Sequence, residues 1–271
     1  MKKTKKAEAI TVTPSTEQEV RLIVDTYYQL QKVRVATGNQ ESAIARGVDA
    51  PSHESPVIAQ TKAGLEAVEK EIVKYLDYWR ESQPTYPWMR RVYGIGPVLS
   101  AGLMAYVDLR KANHPSAIWK YAGLVPFARR ERGKKSEWNA QLKLLCYKIG
   151  DCFVKFSGRS ECFGGSLYRK KKAFYVSKNE AGGFAETCKR EIDSGRFSKG
   201  TDAYRSYLAG RLPDGRVDLM ARRYAVKLFL SAYWQVGRQA LGLPTHNPWV
   251  EEHGGHADII RPEQWVTREE S

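Results

Sequence analysis

Apolar residues in this chain recur at intervals of three and four, with no convincing stretch of strict alternation. That period lays side chains along one stripe of an α-helix, whereas a half-buried strand would alternate. Val20, Ile23, Val24, Tyr27 and Leu30 form such a stripe and predict a helix over about 16–36. Ser15 and Gln18 have the spacing of a capping box at its start. After a polar break at 37–56, Leu65, Val68, Ile72, Leu76 and Trp79 predict a second helix over about 57–80. Shorter helices are expected over 87–92, 97–107 and, capped by Ser116, 117–122. Longer ones are expected over 139–155 and 215–241. No internal repeat is present. The fold class expected is all-α: an N-terminal helical pair followed by a helix-hairpin-helix-containing helical domain.

The chain divides on this reading into a basic flexible tail (1–14), a helical arm (15–83) and a hairpin domain (84–156). A Gly-containing, basic stretch (157–213) reads as an irregular, partly mobile insertion, and a C-terminal helix and tail (214–271) as packing on the helical domain. Helical arms of this kind pack or dimerise, so the arm is the place for a homo-oligomer contact.

The stretch 92-VYGIGPVLSAGLMAYV-107 poses the main question. Gly94 and Gly96 admit backbone angles that a side chain forbids, so the chain can reverse around Ile95 within a few residues. Pro97 suits the first turn of a helix, where its missing N–H costs nothing. The helix that follows then presents its first amides unshielded, and such a terminus attracts anions, phosphate above all.

Charge bears on which anion. The formal net charge is +14 and the isoelectric point near 9.6. Between residues 120 and 172 there are fourteen Lys or Arg against four Asp or Glu, so most of the surplus follows the hairpin directly. The densest run, 128-ARRERGKK-135, reads as a loop edged by Phe127 and Trp138. Basic side chains bind a phosphate backbone by releasing its counterions, and aromatic edges can stack on bases. Arg90, Arg91, Arg129, Arg130, Arg132, Lys134 and Lys135 are therefore expected to extend the contact made at Gly94, Ile95 and Gly96. The partner expected is DNA, with RNA as the alternative.

Other classes fit less well. No apolar run reaches the length needed to span a bilayer, and the basic start lacks the apolar core of a signal peptide, so a cytoplasmic, non-membrane protein is expected. Cys146, Cys152, Cys162 and Cys188 contain no C-x-x-C pair and read as structural. His253 and His256, with His246 nearby, have a spacing that is a weak zinc signal without a cysteine pair. No metal and no cofactor are expected.

The line GIGPVLSAGLMAYVD (94–108), followed by SAIWKYAGLVP (116–126), resembles the C-terminal domain of transposases of the insertion-sequence 110/116/902 group. Those proteins carry a helix-hairpin-helix with a P-G-I-G-P core and an A-G-L-x-P turn, and Tyr93 here stands where their first proline would be. The resemblance covers about 87–155 and implies DNA binding in transposition or recombination. Members also cut DNA, using acidic residues on an N-terminal RuvC-like sheet and a serine in a Ser-Ser-Gly-Gly-Lys-like loop. Metal-assisted cleavage needs such convergent carboxylates. The first 86 residues here read as two helices with no strand ending in an aspartate. Arg130 and Glu131 stand where the serines would be, which leaves Ser136 as the nearest hydroxyl, with a helix cap as its ordinary role. Asp108, Asp151 and Glu161 are isolated acids. The expectation is a binding module without the cutting half. Its rivals are a recombinase working through Ser136 or acids supplied in trans, and a protein-interaction module whose charge serves solubility.

Overall fold

The computed structural model describes residues 16–47, 55–125, 133–245 and 260–266. Among the described residues the secondary structure is ten α-helices and one 3₁₀ turn, with no strand, so the chain is all-α as its periodicity requires. A lone antiparallel bridge joins Val92 to Val266.

Helix α1 (Glu17–Gly47) opens one residue later than the expected box. The Thr16 amide donates to Glu19 Oε2 (2.7 Å) while Thr16 Oγ1 accepts from the Glu19 amide (3.3 Å), and Ser15 lies outside the described residues. The helix also runs on through the polar stretch where a break was expected from residue 37. Polar side chains sustain it by bridging to α2 (Pro56–Glu81). Arg34 holds Glu69 in a two-pronged pair (2.7 and 3.0 Å), and Lys62 reaches Glu41 (2.7 Å). A helix polar on most faces stands when such bridges replace a buried stripe.

The short α3 (Tyr86–Met89) leads through the glycine turn into α4 (Pro97–Tyr106). Every residue of α4 from Val98 to Tyr106 is buried, so this helix forms the axis of the core. Helices α1, α2 and α6 (Ala140–Lys155) cover it. At Gly102 a β-carbon would lie 3.0 Å from Leu145 Cδ2 and 3.3 Å from Val24 Cγ1, so the missing side chain lets α1 and α6 close on α4. Val20, Val24 and Leu76 belong to this core, which makes the base of the arm part of the domain rather than an appendage. The open carbonyl of Ala105 at the end of α4 accepts from Arg21 Nε (2.6 Å).

Helix α5 (Pro115–Tyr121) starts at His114 rather than at Ser116, which lies inside it. Stretch 157–213, expected to be irregular, contains α7 (Phe163–Glu180), α8 (Ala185–Asp193) and α9 (Asp202–Leu208). Its glycines at 182, 195 and 210 take positive φ and stop helices rather than marking a long loop. The run 169-RKKK-172 is helical, as lysine and arginine allow. Cys188, Tyr207, Leu212 and Val217 make a second small core here. It is pinned by Asn179, whose amide donates to Leu212 O (2.9 Å) and accepts from Leu212 N (2.8 Å).

The long α10 (Asp214–Ala240) packs on α5, α6 and α7. The 3₁₀ turn (Pro262–Trp265) seats Trp265 among Phe153, Phe163 and Phe229, and Trp88 Nε1 donates to Pro262 O (3.0 Å). This late segment therefore backs the turn that enters the hairpin.

Candidate nucleic-acid interface

The hairpin forms as its composition demands. Gly94 has φ +86°, a conformation that side chains rarely adopt, and a β-carbon there would meet Phe156 at 3.1 Å. Phe156 also meets Tyr93 edge-on, its ring 5.4 Å away. Ile95 is buried and its amide donates back to Val92 O (3.3 Å), so this residue anchors the turn inward and is not itself a contact surface. Gly96 is exposed, extended (φ −82°, ψ −179°), and a β-carbon there would meet nothing within 4 Å.

Beyond Gly96 the helix opens with donors that no group among the described residues claims. The Ser100 amide is the first to bond back, to Gly96 O (3.0 Å). Among the described residues, no backbone hydrogen bond uses the amides of Gly96, Val98 or Leu99, and Pro97 has none to give. This end of a ten-residue helix carries the positive pole of its dipole, and the Ser100 hydroxyl donates to its carbonyls at Gly96 (2.9 Å) and Pro97 (3.1 Å).

The basic residues do not all gather at this end. Gly94 touches the C-cap of α6, while Gly102 lies against Leu145 nearer its start, so α4 and α6 run antiparallel. The loop that includes Lys134 and Lys135 enters the other end of α6, where Asn139 caps the helix by accepting from Leu142 N (2.9 Å). Sixteen residues of α6 separate the two places, about 24 Å at 1.5 Å per residue. Continuity in sequence suggests one patch, but α6 separates Lys134 and Lys135 from the hairpin. Arg129, Arg130 and Arg132 lie outside the described residues. Arg90, exposed, and Arg91, half-buried, sit just before the hairpin.

The cations that do flank the hairpin were overlooked in the sequence. Lys155 lies over the Phe156 ring (5.5 Å), and the amide of the exposed Arg159 donates to Phe156 O (3.0 Å). Lys155 therefore touches the ring on which Gly94 rests, while Arg159 is tied beside it through its backbone. The available signal was their position at the end of α6, readable once α4 and α6 were known to be antiparallel.

Among the described residues Ser136 meets no catalytic base. Its hydroxyl donates to Trp138 O (3.1 Å), a carbonyl that cannot take its proton, and Asn139 rather than Ser136 caps α6. The isolated acids are engaged: Asp108 Oδ1 accepts from the Arg110 amide (3.0 Å), Asp151 pairs with Arg222, and Glu161 accepts from Ser160 (3.2 Å). Among the described residues no three His, Cys, Asp or Glu side chains gather as a metal group would need. His246, His253 and His256 lie outside the described residues. All four cysteines are free thiols, and burial pushes Cys146 up to about 12, which makes it an inert packing group. Among the described residues no helix is long and apolar enough to cross a membrane.

Compared with known protein families, curated proteins and solved structures, the chain finds no match.

Proposed function

We propose that this chain is a nucleic-acid-binding protein, with DNA as its partner, that takes hold of a backbone phosphate at the Gly94-Ile95-Gly96 hairpin. The observation that carries this reading is the exposed Gly96 followed by first-turn amides that no group among the described residues claims. A phosphate oxygen accepts from such amides while the helix dipole and neighbouring cations favour its charge. Arg90, Arg91, Lys155 and Arg159 are the cations placed to reinforce it, and Ile95 serves as the buried anchor that keeps the turn in shape. The resemblance of 94–126 to transposase C-terminal domains supports a role in DNA transposition or recombination, as binding rather than cutting.

The test is binding of a labelled duplex across a range of salt. Affinity should fall steeply as salt rises, with a slope near 0.9 per phosphate neutralised. Gly96→Val, a position with room for a side chain, should weaken binding while leaving the melting temperature unchanged. Binding indifferent both to salt and to this substitution would end the proposal.

A further inference from the structure

Away from the hairpin, α5, the start of α6 and the middle of α10 bring three cations together. Lys143 on α6 lays its ammonium over the Trp138 ring (4.3 Å), and Lys227 on α10 lays its own over Trp119 (4.1 Å). Arg223 stands one turn before Lys227 on the same face of α10. All three are half-buried. Burial first, and the nearby Arg223 charge second, hold both lysines below their ordinary range.

The aromatic seats are built, not incidental. Trp119 Nε1 donates to Lys227 O (3.0 Å), which fixes that ring on α10. Trp138 lies against Gly123, where a β-carbon would come within 2.7 Å of its ring. The Asn139 amide donates to Tyr121 O (2.8 Å) and staples the approach of α6 to the end of α5.

The contrast along α10 is informative. Arg216 pairs with Glu191, and Arg222 with Asp218 and Asp151. Arg238 donates to the carbonyls of Pro244, Leu109 and Ala112. Among the described residues, no carboxylate pairs with Lys143, Arg223 or Lys227, although each is partly withdrawn from water. Like charges gathered in this way raise the free energy of the empty protein and are relieved by an anion.

We propose that Lys143, Arg223 and Lys227 form a second phosphate-binding site, whose ligand is the backbone of a nucleic acid. Assigning the phosphate to nucleic acid rests on the function proposed above; the phosphate site itself does not. Along α6, Lys143 lies about 20 Å from the Phe156 seat of the hairpin, so the two sites hold separate phosphates. Arg223 supplies a planar fork for phosphate oxygens, and the two lysines supply point charges held in place by their tryptophans.

The probe for the site alone is inorganic pyrophosphate, read by the rate at which trinitrobenzenesulfonate labels each lysine in the full chain. Pyrophosphate should slow labelling of Lys143 and Lys227 by raising their affinity for protons, and should leave Lys74, paired with Glu71, unchanged. Arg223→Gln should abolish that protection while raising the melting temperature, because a repulsion is removed. Lysine labelling indifferent to pyrophosphate overturns the site. The probes for the nucleic-acid assignment are a labelled duplex and a labelled single strand titrated at several salt concentrations. Arg223→Gln and Lys143→Gln should each lower the salt slope by about one. Unchanged slopes in both variants, with binding still weakened in Gly96→Val, would overturn the assignment and leave the hairpin reading intact. Should pyrophosphate protect the lysines while neither labelled probe binds the wild type, the proposed function fails and the phosphate site stands.

Discussion

Replacing Gly96 by aspartate sets stability and binding against each other. Gly96 occupies the N-cap of α4 with φ −82° and ψ −179°, the extended conformation in which aspartate caps best, and its β-carbon would meet no neighbour within 4 Å. The new carboxylate would accept from the Val98 or Leu99 amide, both unclaimed among the described residues. An aspartate cap exceeds glycine by a few tenths of a kcal/mol, and its charge at the helix N-terminus adds about 0.3–1 kcal/mol. Restricting the unfolded chain adds about 0.4–1 kcal/mol. Together these stabilise the fold by about 1–2 kcal/mol, or a few degrees in melting temperature. The same carboxylate occupies the place proposed for phosphate and repels it. Losing one charge-assisted contact of about 1.5–3 kcal/mol weakens binding roughly tenfold to a hundredfold. Thermal melting and fluorescence anisotropy with a labelled duplex, on the same preparation, read the two effects. A variant that melts higher yet binds DNA as tightly as the wild type would refute the reasoning.

Gly94→Ala should act oppositely, because φ +86° and the 3.1 Å approach to Phe156 strain any side chain; a loss of about 1–2 kcal/mol is expected in urea unfolding, and an unchanged midpoint would contradict it. Acid should loosen the α7–α10 junction and the small core beside it. Burial pushes Asp218 and Glu191 up, but hydrogen bonds from Lys172, Tyr168 and Arg222 to the first, and from Arg196 and Arg216 to the second, leave both below their ordinary values of 3.8 and 4.5. Depressed carboxylates stabilise the fold above their unfolded values and lose that contribution as pH falls through the folded ones. Amide exchange in α7–α9 should therefore accelerate below about pH 4 ahead of α4, and Asp218→Asn should remove part of the difference. Ser136→Ala should leave both binding and any nicking of supercoiled DNA with Mg²⁺ unchanged, since among the described residues its hydroxyl donates to Trp138 O (3.1 Å) and meets no base; nicking that vanished with the hydroxyl would revive the recombinase reading.

Long stripes were legible in the sequence. Helix α6 and helix α10 begin and end within a residue or so of where their apolar spacing puts them, and the turn around Ile95 follows from glycine and proline chemistry. What misled was glycine read without context. Gly38 lies inside α1, held there by bridges to α2 that no local pattern announces. The glycines ending α7, α8 and α9 resemble the marks of a loop because the two helices between them are short and polar.

Of the candidate site, only the backbone geometry is legible in the sequence. Gly94 and Gly96 carry their geometry in their own chemistry, so the hairpin could be read directly. The cations could not, because adjacency in sequence is not adjacency in space. Helix α6 carries Lys134 and Lys135 to one end and Lys155 to the other. Lys143, Arg223 and Lys227 meet through the packing of α6 on α10 across some eighty residues of chain, which periodicity alone does not align.

The most direct measurement is amide NMR of the full chain titrated with a short DNA duplex. The N–H signals of Gly96, Val98 and Leu99 should move together, saturate with the affinity seen by anisotropy, and stay still in Gly96→Asp. Signals that remain fixed at saturating DNA, with every shift elsewhere on the surface, would contradict a phosphate held at the head of α4.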